Sequence, residues 1–258
     1  MSSTPAAQND LATRARDWLR ANQAAVCDVQ EPWAHGTVLR ATRYPTYYSF
    51  NMIRVEEEPA MDAQELAAFA DRELAGFHHR RIDFEQIEPA QARRAELEGM
   101  GWKATALVWM HHDDPAAVTA GEGVEVEEAP YEAADALRLA WHLEDFAGTA
   151  YDEEFQAGAR EVAETRDVRV LVVRDQGEPV AFAHVERAGE DAEITQVFVH
   201  PDHRGGGRGT AMTRAAIRSA ADVEHLWIVA DDEDRPKRLY ERLGFTPVVR
   251  TLEMLRLP

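Results

Sequence analysis

The chain is 258 residues long, enough for one large domain or two of common size, and its 47 Asp+Glu against 28 Lys+Arg give a formal net charge of −19. So acidic a surface repels nucleic acid and anionic membranes and favours soluble cationic partners. The single cysteine Cys27 excludes an intramolecular disulfide, no apolar run has membrane-spanning length, and Met1 to Asp10 is too polar for a signal peptide, so a cytoplasmic location is expected.

Tyr47 to Val55 reads as a strand, Ala63 to Ala75 as a helix, Arg81 to Phe84 as a strand and Gln91 to Glu98 as a helix. A Gly101-Trp102 pair then precedes an apolar strand, Ala104 to Met110. His78-His79 and His111-His112 lack the company of metal ligands; they read as surface strand or helix-end residues, and no metal is expected. Asp113 to Gly123 has no apolar period and is rich in turn formers. Residues 114–123 therefore read as a linker between a first domain, 1–113, and a second, 124–258.

After the linker, Val124 to Glu128 alternates like an edge strand, and Tyr131 to Leu143 and Glu153 to Glu164 carry helical periods. Strands are predicted at Val168 to Val173 and Val180 to Val185. Glu193 to Val199 alternates again, passes through a Pro201-Asp202 turn, and reaches Gly205-Gly206-Gly207-Arg208-Gly209-Thr210 ahead of a helix over Ala211 to Ala221. A glycine-rich turn opening a helix holds phosphate, because backbone N–H groups converge and the helix dipole adds positive charge. Arg204 and Arg208 flank it with forked cationic donors. Leu226 to Ala230, a helix from Asp234, and a closing segment from Val248 to Leu257 complete the chain.

Spacing separates the phosphate ligands. A P-loop needs lysine after its last glycine, and the only lysines are Lys103 and Lys237. A dinucleotide fingerprint fits only loosely. Arg204-Gly-Gly-Gly207-Arg-Gly209 after Val199-His-Pro201 instead matches R/Q-x-x-G-x-G/A behind V-x-P at every position. That pattern resembles the pyrophosphate arm of the GNAT superfamily of acetyl-CoA-dependent N-acyltransferases. Asp234 to Phe245 is similar to the family's final helix, N-x-x-A-x-x-L-Y-x-x-x-G-F: Leu239, Tyr240, Gly244 and Phe245 match, while Asp234 and Lys237 depart from it.

The resemblance implies an α/β fold in which a central mixed sheet is flanked by helices, with acetyl-CoA as donor. Arg204 to Thr210, Asp234 and Lys237 would bind the donor, and Val197, Phe198 and Val199 would pair with its pantetheine arm. Tyr240 is the candidate general acid and Glu193 the candidate base, eleven positions before Arg204; Gln196 is the fallback. Strict alternation puts Glu193, Thr195, Val197 and Val199 on one face and Ile194, Gln196 and Phe198 on the other. The resemblance implies a bulge in this strand, whose place the sequence does not fix and which decides whether Glu193 faces the acceptor. The acceptor side would draw on Trp141, His142, Glu144, Asp145, Phe146, Tyr151, Asp152, Glu153 and Glu154, a mixture of aromatics and carboxylates suited to a cationic amine.

The first half echoes the second, so two GNAT-like domains in tandem are expected. It carries Glu56-Glu57-Glu58-Pro59 where the second has its glycine turn, and Leu97 where the second has Tyr240. Carboxylates repel a pyrophosphate, so this half should be degenerate and bind no acetyl-CoA. The activity implied is N-acetylation of a small primary amine, in a monomer or a homodimer. The alternatives are an acyl-CoA-sensing module without catalysis, a mycothiol-synthase-like enzyme, or a protein N-acetyltransferase.

Overall fold

A computed structural model describes residues 5–121, 123–145, 153–233 and 235–257. Asp234, Phe146, Tyr151 and Asp152 lie outside the described residues, as do the side chains of Asp145, Glu153 and Glu154. The chain divides into two compact units that interleave in sequence. One comprises Met1–Trp109, Ala230–Asp234 and Val248–Pro258; the other comprises Met110–Val229 and Arg235–Pro247. This division differs from a cut at 114–123, because the closing strand returns its last residues to the first unit.

The first unit opens with α1 (Pro5–Val26) and a hairpin of β1 (Val29–Trp33) and β2 (Gly36–Arg40), none of which the sequence reading assigned. The predicted strand over Tyr47 to Val55 is corrected: Tyr48–Phe50 is a 3-10 turn and β3 is only Met52–Val55. Then follow α2 (Ala63–Glu73), β4 (Arg80–Phe84), α3 (Ile87–Gly99) and β5 (Lys103–His112). Helix α2 starts at Asp62, whose side chain accepts from the Glu65 N–H while Glu65 reaches back to the Asp62 N–H, a capping box. Leu66, Phe69, Phe84, Leu97 and Trp102 close the core behind it.

In the second unit β6 (Glu127–Ala129) sits three residues later than the strand start expected at Val124, and Tyr131–Ala134 forms a 3-10 turn before α4 (Asp135–Asp145). Helix α5 (Glu153–Glu164), β7 (Asp167–Asp175), β8 (Glu178–Ala188) and β9 (Asp191–Val199) follow. Next come α6 (Arg208–Ser219), β10 (His225–Asp231), α7 (Arg235–Arg242) and β11 (Phe245–Arg256). Strands β6 to β9 pair antiparallel in sequence order, and β10 joins β9 in parallel through the α6 crossover.

The first unit repeats this order. Strands β2 and β3 pair antiparallel, and β4 joins β3 in parallel through α2. The end of β11, Leu252 to Arg256, pairs antiparallel with β4.

Candidate active site

In the second unit α6 packs on β7, β8 and β9, burying Met212, Ala216 and Ile217. Leu137 of α4 packs on the opposite face with Val170, Val172, Phe182 and Phe198. Strand β9 therefore runs between two covered faces, and which side chain meets which face decides the chemistry.

The cross-strand register sets this. His184 pairs with Gln196, but the next residue, Val185, pairs with Ile194, so Thr195 is an extra residue and forms a bulge. Strict alternation is thus overturned. Phe182, His184 and Glu186 share one side of β8, and their partners Phe198, Gln196 and Glu193 share the same side of β9. Glu193 therefore stands with Gln196 and Phe198, not with Val197 and Val199. It is 9% exposed and lies beside Trp227 of β10.

The bulge also marks where β9 and β10 part. Their parallel ladder runs from His225↔Asp191 to Ile228↔Ile194 and ends there, although β9 continues to Val199. Three buried atoms around the bulge, His184 Nε2, Thr195 Oγ1 and Gln196 Oε1, have no hydrogen-bond partner among the described residues. Burial and the nearby Arg138 guanidinium push His184 down to about 3, so its ring is neutral.

Beyond β9, Pro201–His203 makes a 3-10 turn and Gly205, Gly206 and Gly207 follow at φ 90°, 59° and 78°. Three consecutive left-handed residues are what L side chains resist, and a Cβ on Gly205 or Gly207 would project into open space above the turn. Gly207 is the N-cap of α6 and, being glycine, supplies no side-chain cap of the kind Asp62 gives α2. The first-turn N–H groups thus face outward with the positive end of the dipole. Gly209 and Thr210 are already helical, so the helix starts three residues before the expected Ala211.

The two flanking arginines hold partners within the chain. Arg204 donates from Nε to the Val199 carbonyl at 3.1 Å and from Nη2 to both Glu144 oxygens at 2.6 and 2.7 Å. Arg208 reaches Asp175 at 3.4 Å, where His203 also pairs at 3.3 Å. Neither Glu144 nor Asp175 was expected as a partner of the turn, since ion pairs between distant elements leave no periodic trace.

Tyr240 is buried on α7, its ring edge-on to Phe245 at 6.2 Å. Lys237 is half-buried one turn earlier. The helix ends at Gly244, φ 102°, where a Cβ would fall 2.8 Å from His112 Nε2; that nitrogen lies 2.9 Å from the Leu243 carbonyl.

The predicted acceptor residues scatter. Trp141 packs into the apolar core, His142 is buried against Phe155 at 5.2 Å, and Glu144 is tied to Arg204. The surface reading of the histidine pairs holds only for His78. His79, His111 and His112 are buried; His111 bridges Asp113 at 3.0 Å and His225 at 3.1 Å.

Residues 166–247, which carry the bulge, the turn and Tyr240, match the acetyltransferase (GNAT) domain model. A mycothiol acetyltransferase from Nocardiopsis dassonvillei is 35% identical over 91 residues, 35% of this chain and 27% of the relative. The match thus spans about a quarter of that relative's length. Among solved structures, a functionally unknown conserved protein from Staphylococcus epidermidis aligns over 88% of this chain and 92% of its own at 15% identity, TM-score 0.69. A tandem GNAT protein from the clavulanic acid biosynthesis pathway aligns in fold over 80% of this chain and 75% of its own at 19% identity, TM-score 0.50. Residues 166–247 thus form an acetyltransferase domain of the GNAT superfamily.

Proposed function

We propose that the chain transfers acetyl from acetyl-CoA to a primary amine of a small molecule, by direct attack within a ternary complex. The supporting observation is that three features coincide on one strand: the ladder to β10 stops at Ile194, Thr195 bulges, and the uncapped glycine turn follows. The turn would hold the pyrophosphate through the backbone N–H groups of Gly205 to Thr210. The stretch Val197-Phe198-Val199 would pair with the pantetheine amides as an added strand.

Acetyl transfer requires a neutral amine, a polarised carbonyl and a proton for the departing thiolate. Glu193, on the face of Gln196, would take the amine proton directly or through an ordered water. The amine nitrogen then bonds to the acetyl carbon, the C–S bond breaks, and Tyr240 gives its phenolic proton to the thiolate. Phenol and alkyl thiol differ by about two pKa units, so that transfer is feasible. Backbone N–H groups of β9 would stabilise the oxyanion.

The unpartnered atoms of His184, Thr195 and Gln196 favour an acceptor that carries hydroxyl or amide groups beside its amine, because burial of unpaired polar atoms costs free energy that such a ligand restores. The relative from Nocardiopsis dassonvillei is described as a mycothiol acetyltransferase, which supports a small acceptor over a protein.

A screen of amines with acetyl-CoA and thiol detection tests the reading. Thiol release with acetylated product is expected for a hydroxylated amine. Binding without thiol release from any amine would point to an acyl-CoA sensor instead. Tyr240→Phe should lose most turnover at neutral pH and keep its acetyl-CoA affinity; unchanged turnover would remove Tyr240 from the mechanism.

A further inference from the structure

Seven buried side-chain polar atoms lack a hydrogen-bond partner among the described residues, and three of them belong to one cross-strand position. His184 Nε2 and Gln196 Oε1 come from directly opposed residues of β8 and β9, and Thr195 Oγ1 comes from the bulged residue beside them. The other four are scattered singly on Arg16, His79, Trp102 and Arg166. Opposed residues on one face of a sheet stand about 5 Å apart at Cβ, so one small group can reach both side chains.

The aromatic neighbours of His184 supply no partner. Its ring lies 5.3 Å from Phe182 and 5.5 Å from Tyr131, centre to centre, and His184 is only 3% exposed. Thr195 and Gln196 are half-buried, where β9 runs on without a β10 partner.

Charge and hydrogen-bond capacity narrow what fits. His184 is held neutral by burial and by the Arg138 guanidinium, which lies 3.7 Å over the Tyr131 ring. The same burial and guanidinium oppose a second cation at this place. A carboxylate only accepts hydrogen bonds, and so does Gln196 Oε1, so the two repel. A methyl group leaves all three atoms unpaired. A hydroxyl donates one bond and accepts two: it can give its proton to Gln196 and receive from Thr195 and His184. Glu193, the candidate base, stands on the same side of β9, one alternation from Gln196 and so roughly 7 Å along the strand. An oxygen and a nitrogen on neighbouring carbons bridge that span with a hydrogen bond at each end.

We propose that His184, Thr195 and Gln196 form a hydroxyl-binding subsite that selects vicinal amino alcohols as acceptors, with His184 as the specificity-determining residue. The proposal rests on the acetyltransferase reading and names the acceptor class of that same site.

Ethanolamine, propylamine and β-alanine carry a hydroxyl, a methyl and a carboxylate at the far end of the same two-carbon amine. Their turnover with acetyl-CoA, followed by thiol release, tests the subsite. Counted on the neutral amine, wild-type kcat/KM should favour ethanolamine over each of the others by about tenfold or more. His184→Phe should bring the ratio of ethanolamine to propylamine near one while propylamine is still turned over, and His184→Asn should restore part of it. A wild-type ratio near one overturns the proposal, as when water fills the cluster, and so does a ratio that His184→Phe leaves unchanged. Thiol release with none of the three amines overturns the acetyltransferase reading itself. The wild-type comparison stands even if a variant fails to fold.

Discussion

Gly244 meets two demands at once: a left-handed backbone at φ 102°, and a Cβ position 2.8 Å from the buried His112 ring. Gly244→Ala should therefore destabilise the fold by about 1–3 kcal/mol, seen as a lower midpoint in urea; an unchanged midpoint would contradict this account. The sequence pointed to this glycine through the Gly-Phe stop, but not to His112, which arrives from a strand 132 residues earlier. Buried histidines were the least legible residues, because their neighbours come from distant segments. His184 is pushed down to about 3 and His79 to about 4, in both cases chiefly by burial. Both are neutral in the fold, whereas in the unfolded chain they charge below an ordinary value of 6.5. The stability they contribute is thus complete above pH 6.5 and is lost as pH falls toward 4, at up to about 1.4 kcal/mol per pH unit for each. Thermal melts should show this fall, with a shallower slope in His184→Gln. An identical slope would mean that His184 is protonated in the fold.

Strand β9 shows what periodicity hides at the scale of an element. Its strand character, its glycine turn and the helix after it were all legible from alternation and spacing. The bulge at Thr195 was not, because one inserted residue changes no residue type and yet moves Glu193 to the other face. The corresponding element of the first unit is built shut. Pairing of β3 with β4 continues to Val55↔Phe84, and the Glu85 N–H adds a bond to the Val55 carbonyl at 3.0 Å. Arg54 donates to Glu56 at 2.9 Å and lies 3.4 Å from Glu85, which Arg20 also holds at 2.6 Å. The glutamates expected to repel phosphate thus divide: Glu56 is in this network, Glu58 pairs with Arg93 at 2.9 Å, and Glu57 is exposed. Glu85 is 3% exposed, so Glu85→Ala leaves buried guanidinium charge behind. It should cost about 3–5 kcal/mol in chemical denaturation, and a loss below about 1 kcal/mol would show that the network is not buried charge.

Over the whole molecule, the repeated order of a strand pair, a parallel crossover helix and a closing strand was legible because each segment kept its own period. The interleaving of the units was not, since nothing in β11 marks Leu252 to Arg256 as partners of β4 rather than of a neighbour in sequence. The two crossover helices differ in what meets their N-termini: side chains of Asp62 and Glu65 at α2, and three bare glycines at α6. A chain with two such units and one open cradle should bind one donor molecule. Calorimetric titration with acetyl-CoA measures this directly. The expected result is one molecule bound per chain, with binding lost in Gly206→Asp and retained in Glu85→Ala. Two molecules per chain, none at millimolar ligand, or undiminished binding in Gly206→Asp would contradict it.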